Sequence, residues 1–257
     1  MSWHFLIVTI LKRGRTMVFF SKANAGLWAI VLFAFFLCFD QANALLFASQ
    51  AKEGAVQLPL LFADDFKDGE AGAWLPNRPE HWQVAKEEGS FVYRLTAPGE
   101  QGKVRAPTSW SLLKDFDVTS FVFTGRTKCK TDPAVNQRDI CIFFHFQDET
   151  HFYYVHFSAS SDEMHNVIAI VNGKDRVKIN REPPGKSIYR LTDLKFHDFK
   201  VTCDAATGEI KAYLDDMSTP ILTAVDKTLD HGLVGVGSFD DTGSFADIKL
   251  WGNTFKK

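Results

Sequence analysis

Residues 137–157 read QRDICIFFHFQDETHFYYVHF, and residues 161–172 follow as SDEMHNVIAIVN. Apolar and aromatic side chains dominate both, with no sustained helical period, so the stretch reads as three β-strands joined by polar turns. Its strand-like runs also carry an Arg, three His and a Tyr, side chains of a kind that a core does not require. On strand alternation Cys141, Phe143, His145 and Gln147 share one face, and Phe152, Tyr154 and His156 share one face of the next strand. With Glu149 and Thr150 as a two-residue hairpin loop, His145 is expected opposite Tyr154 and Phe143 opposite His156. His145, Tyr154 and His156 would then project from one side of a sheet, while a three-residue loop would split them.

Outward from this segment the same pattern recurs. Strand-like runs occupy residues 61–66, 82–84, 91–95, 116–124, 199–203, 210–214, 232–239 and 245–251, with turn residues between them. This spacing predicts an all-β, two-sheet antiparallel sandwich. The 24 Phe of the chain suit the inward faces of such a sandwich. Lys and Arg number 29 against 31 Asp and Glu, a net charge of -2, with no basic stripe, which argues against nucleic acid or an anionic membrane surface as partner.

Residues 26–39 (GLWAIVLFAFFLCF) form an uncharged apolar run preceded by Lys22 and followed by Ala42-Asn43-Ala44. The run is shorter than the roughly 20 residues a spanning helix needs, and it reads as a secretory signal cleaved after Ala44. Residues 1–44 are thus expected to be removed, with Met17 as an alternative initiator, leaving residues 45–257 as one domain in a secreted or periplasmic protein. In such an oxidising compartment Cys129 and Cys141 could close a short disulfide loop, the alternative being two buried thiols. Cys203 reads as a small core residue.

Ala63-Asp64-Asp65-Phe66-Lys67-Asp68-Gly69, Trp82, Gly89 before a strand, and the closing Gly235-Val236-Gly237-Ser238-Phe239 and Phe245-Ala246-Asp247-Ile248-Lys249-Leu250 resemble the concanavalin A-like lectin/glucanase superfamily. More narrowly they are similar to laminin-G-like jelly rolls and to 3-keto-disaccharide hydrolase domains grouped with family 16 glycoside hydrolases. The resemblance covers most of residues 45–257 and rests on marks of fold rather than reaction. It implies a jelly roll that holds a polysaccharide or oligosaccharide on its concave face. It also implies a structural calcium between first and last strands, for which Asp65 or Asp64, Gly89 and Asp247 stand at matching places with hard oxygen donors.

The Glu-x-Asp-x-x-Glu motif of family 16 is absent; the nearest carboxylate pair, Asp115 and Asp117, reads as a surface turn. Asp240-Asp241-Thr242-Gly243 also reads as a turn, since an aspartic protease needs two opposed carboxylates. Carbohydrate binding is the leading expectation, with Arg138, Gln147, His165 and Asn166 bonding sugar hydroxyls and Tyr154 with an exposed Trp stacking on sugar faces. A glycan-cleaving enzyme is the alternative, a lyase or hydrolase in which His145, Tyr154 and His156 supply acid and base. A structural adhesion module is the third.

Overall fold

The computed structural model describes residues 8–12, 15–19, 58–181 and 191–256. The chain divides into two units, residues 1–57 and 58–257. In the first, β1 (Val8–Lys12) and β2 (Arg15–Phe19) form an antiparallel hairpin. The apolar run 26–39 and the expected cleavage site at Ala44 lie outside the described residues.

The second unit is a two-sheet antiparallel sandwich. Its strands are β3 (Leu60–Asp64), β4 (Trp74–Pro76), β5 (Trp82–Glu87), β6 (Ser90–Leu95), β7 (Ser109–Leu113), β8 (Val118–Cys129), β9 (Asp139–Asp148) and β10 (His151–Ser158). There follow β11 (Val167–Asn172), β12 (Val177–Lys178), β13 (His197–Asp204), β14 (Glu209–Leu214), β15 (Leu222–Val225), β16 (Leu233–Ser238) and β17 (Gly243–Thr254). One sheet has the order β12-β11-β10-β9-β16-β7-β4 and the other β15-β14-β13-β8-β17-β6-β5, with β3 also paired to β17. The strands at 74–76, 109–113, 177–178 and 222–225 are additions to the sequence reading; each is short, and too few residues alternate to announce a strand. Among the described residues no helix is long and apolar enough to cross a membrane.

The two sheets differ in what covers them. In the second sheet β13 alternates buried and more exposed residues, the mark of one solvated face. In the first, β9, β10 and β11 are buried almost without interruption, so both of their faces are covered. Phe144, Tyr153, Val155 and Phe157 point between the sheets with Phe121, Phe199 and Phe245. Cys141, Phe143, Phe146, Phe152, Tyr154, Val167, Ala169, Val171 and Phe239 form a separate apolar layer with Leu112 and Ala106. That second layer is why residues 140–157 carry aromatics at consecutive positions.

A cross-strand charge network ties β5, β6, β17 and β8 together. The Glu87 carboxylate, its side chain 8% exposed, accepts from Arg94 at 2.7 Å, Lys130 at 3.0 Å and Ser244 Oγ at 2.8 Å, and Lys128 Nζ stands 3.1 Å away. Burial would raise its pKa, but the hydrogen bonds from Lys130, Ser244, Arg94 and Lys128 outweigh it and bring the group from 4.5 to about 2. A folded pKa below the unfolded value means that this stabilisation is complete above pH 4.5 and is lost as pH falls toward about 2. Acid titration of the melting temperature should therefore show a steep limb in this window that Glu87→Gln makes shallower. An identical limb in the variant would refute the network's role.

Candidate functional site

The hairpin loop is Glu149-Thr150, since Asp148 pairs with His151. The register then shifts, and Phe144 pairs with Tyr153, Phe143 with Tyr154 and Cys141 with His156. His145 sits at the shift with φ of 44°, so it does not follow the alternation of its strand. This corrects the expectation that His145, Tyr154 and His156 project together. Tyr154 and His156 lie on the side of Cys141 and Phe143. The His145 ring is on the other side, against Phe121, Phe144 and Tyr153. Its Nδ1 lies 2.9 Å from Leu229 O and its Nε2 2.7 Å from Thr119 O, spanning the two sheets. Burial lowers its pKa against the pull of those two carbonyls.

The remaining expected ligand groups are committed to the fold. Arg138, fully buried, donates from Nη1 to Asp193 O at 2.7 Å and from Nη2 to Cys129 O at 2.6 Å. Asn166, at φ of 53°, accepts from Ser158 N–H and donates to the carbonyls of Ser158 and Ser160. His165 is engaged by Asp162, and Gln147 donates to His231 O from the surface. Tyr154 OH accepts from Arg176 at 3.3 Å, and burial raises its pKa well above 10. These groups are held against their own chain: Arg105 and Arg176 lie over the Phe239 ring at 4.7 and 4.3 Å, and Val104 and Ala106 pack on the same apolar layer. Tyr154 is thus a buried anchor rather than a sugar platform.

The expected disulfide is also corrected. Cys129 and Cys141 are unpaired buried thiols, as is Cys203. Cys129 belongs to the layer between the sheets and Cys141 to the second layer, so the sheet separates their side chains. The residues expected to hold calcium have partners within the chain. Asp64 accepts from Trp74 Nε1 at 3.0 Å and Phe66 N–H at 2.8 Å, and burial raises its pKa. Asp65 pairs with Lys67 at 2.5 Å and Asp247 with Arg126 Nε at 2.6 Å. Asp65 and Asp247 thus each face a cation, and Gly89 takes φ of 83° in the β5–β6 turn. Asp117, as expected of a turn, meets His231 at 2.9 Å.

An open cleft of about 490 Å³ lies elsewhere, lined among others by Asn77, Arg78, Glu100, Gln101, Trp110 and Glu149. Its size suits a small ligand. β7 positions Trp110, whose half-buried indole rests on Phe146 at 5.6 Å, and Phe146 in turn stacks on Phe152 at 4.8 Å. Asn77 is clamped to this strand: its Nδ2 donates to Thr108 O at 2.9 Å and its Oδ1 accepts from Trp110 N–H at 3.1 Å. Residues 99–104 form a wall. Gly99 is required there, because a Cβ would fall 2.1 Å from Thr108 O, and its N–H donates to Ser109 Oγ at 2.7 Å. Arg78 and Glu100 pair at 3.3 Å, and Arg105 Nη1 donates to Gln101 Oε1 at 3.1 Å. The hairpin tip adds Glu149 and Thr150. The sequence reading named none of these as ligand groups beyond an unspecified exposed Trp. The available signal was Trp110 on a short strand that begins six intervening residues after the turn-rich Ala97-Pro98-Gly99-Glu100-Gln101-Gly102.

No protein-family model matches the chain, and no curated protein matches it. Among solved structures it is similar to a Bacillus subtilis protein of unknown function with galectin-like fold, at 10% identity and a TM-score of 0.50, covering 78% of this chain and 99% of that one. It is also similar to the carbohydrate-binding module CBM66 from Bacillus subtilis, at 17% identity and a TM-score of 0.48, over 70% and 95% of the two chains. The metal-free lectin I-B4 from Griffonia simplicifolia follows at 12% identity and 0.47, over 75% and 100%. The fold is a two-sheet antiparallel jelly roll, similar to the galectin-like fold.

Proposed function

We propose that this protein binds carbohydrate in the cleft beside Trp110. One observation carries the reading: a half-buried indole, braced from behind by Phe146, lines an open cleft together with Arg78, Glu100, Gln101 and Glu149. A sugar presents an apolar C–H face and a rim of hydroxyls. An aromatic face takes the first, and fixed donors and acceptors take the second. The arrangement differs from the expected site, since the His and Tyr groups of β9 and β10 are covered by the chain. Glu100 and Glu149 line the same cleft, which keeps glycan cleavage as the alternative.

The test is chromatography of the purified protein on immobilised polysaccharides, with each eluate assayed for new reducing ends and for unsaturated uronates by ultraviolet absorbance. Retention without new ends supports binding. New ends that disappear in Glu100→Gln or Glu149→Gln support the enzyme, and no retention on any neutral or acidic polysaccharide refutes both.

The reading includes action outside the cytoplasm, supported by the apolar run 26–39 and the small-residue pattern at Ala42-Asn43-Ala44. N-terminal sequencing of exported protein is expected to begin at Leu45. A mature start upstream of Gly26 would overturn it.

A further inference from the structure

The covered layer of the first sheet contains a cluster that carbohydrate binding does not use. On β9, Asp139 and Cys141 are two residues apart and share a face, and on β10 His156 pairs directly with Cys141. All three are buried, at 1%, 0% and 2% exposure. One carboxylate oxygen, one thiol sulfur and one ring nitrogen from them lie within 4.8 Å of one another.

The hydrogen bonds assign each donor atom. His156 Nδ1 lies 2.9 Å from Met164 O, a group that only accepts, so Nδ1 carries the proton and donates. Nε2 points inward, 3.4 Å from Asp139 Oδ2, and has no other hydrogen-bond partner among the described residues. Asp139 Oδ1 is spoken for by Ser238 Oγ–H and Phe239 N–H, both at 2.8 Å, while Cys141 Sγ is 3.8 Å from it. Two buried atoms that each offer a lone pair face each other here, and such a pair calls for a positive centre between them, a proton or a cation. A proton on Nε2 would answer part of this, but it would leave the 3.4 Å separation long for a charge-assisted hydrogen bond, ordinarily about 2.7–2.9 Å.

We infer that Asp139 Oδ2, Cys141 Sγ and His156 Nε2 bind a zinc-class divalent metal ion. Bonds of about 2.1 Å at tetrahedral angles place two ligand atoms about 3.4 Å apart, the separation found between Nε2 and Oδ2. A sulfur, an imidazole and a carboxylate together suit zinc or cobalt and ill suit calcium or magnesium. The Met164 carbonyl fixes the tautomer that ligation at Nε2 requires, and Ser238 with Phe239 orients the carboxylate, the outer arrangement typical of metal ligands. Asp240, exposed, and Asp241, half-buried, bring their carboxylates within 4.8 Å of that of Asp139, an acidic approach for a cation. Ligation takes the thiolate form of Cys141, so metal binding would displace the thiol proton.

The experiment loads the chelator-stripped full chain with Zn²⁺ or Co²⁺, desalts it and measures bound metal by mass spectrometry. One equivalent is expected, and the cobalt form should show a thiolate-to-metal charge-transfer band in the near ultraviolet. Cys141→Ser should abolish that band, and His156→Gln should weaken retention at least roughly tenfold. Wild-type protein that retains no stoichiometric metal, or that binds cobalt without the thiolate band, would overturn the assignment, and neither result depends on a variant folding. Metal held equally by wild type and both variants would also overturn it, by locating the ion at surface His and Asp groups. Carbohydrate retention is measured on the same samples, so a failure here is distinct from a failure at the Trp110 cleft.

Discussion

Trp110→Ala is expected to abolish retention on the polysaccharide that the wild-type protein holds, while its melting temperature shifts little. Truncating a central aromatic contact commonly costs 2 kcal/mol or more of binding, which is about a thirtyfold loss of affinity. The indole is half-buried at the edge of the second apolar layer and is not part of the packing between the sheets. Its removal uncovers one side of Phe146 and leaves the ladder of β7 with β16 and β4 intact. Trp110→Phe should recover part of the retention, since a smaller ring keeps a stacking face. Affinity equal to wild type in Trp110→Ala would remove the cleft from consideration.

Arg138→Ala has the largest expected effect on stability. The guanidinium is fully buried and joins the end of β8, at Cys129 O, to the segment before β13, at Asp193 O. Its loss leaves two carbonyls unpaired and a hole where a long side chain lay. Each buried carbonyl left unpaired costs about 1–3 kcal/mol. For a unit of this size, roughly 2–4 °C of melting temperature accompanies each kcal/mol, so the two together give an expected drop of about 4–24 °C by thermal circular dichroism. Carbohydrate retention measured well below the new melting temperature should survive. The reverse outcome, an unchanged melting temperature with lost retention, would return Arg138 to the substrate-binding role that its sequence position suggested.

Arg138 shows why the ligand set was misread. In sequence it opens a strand beside a polar loop, where a cation is ordinarily solvated. Its burial is decided by Asp193, 55 residues away, and nothing local reports that. The Glu149-Thr150 loop was legible from its two-residue length between apolar runs, and with it the common face of Cys141, Phe143, Phe152, Tyr154 and His156. His145 was not, because alternation assumes an unbroken ladder and the register shift at φ of 44° turns its ring to the other side. The thiols at Cys129 and Cys141 were close enough in sequence to suggest a bridge, yet they face different layers.

The sequence by itself determined the class of the fold. Period-two runs, turn residues between them and abundant Phe specify antiparallel sheets packed face to face, because each of these signals acts over a few neighbouring residues. The double burial of β9 to β11 was not expected, although aromatics stand there at successive positions. What covers their second face was decided by the tertiary structure alone. Val104, Arg105 and Ala106 come from a loop remote in sequence and Arg176 from the turn after β11, and their arrival converts an expected open binding face into an interior. The cleft is likewise assembled from Asn77 and Arg78 after β4, the 100–104 wall, β7 and the hairpin tip at Glu149 and Thr150. Periodicity tells which way a side chain points; only the packing of distant segments determines whether water, a sugar or the chain itself waits there.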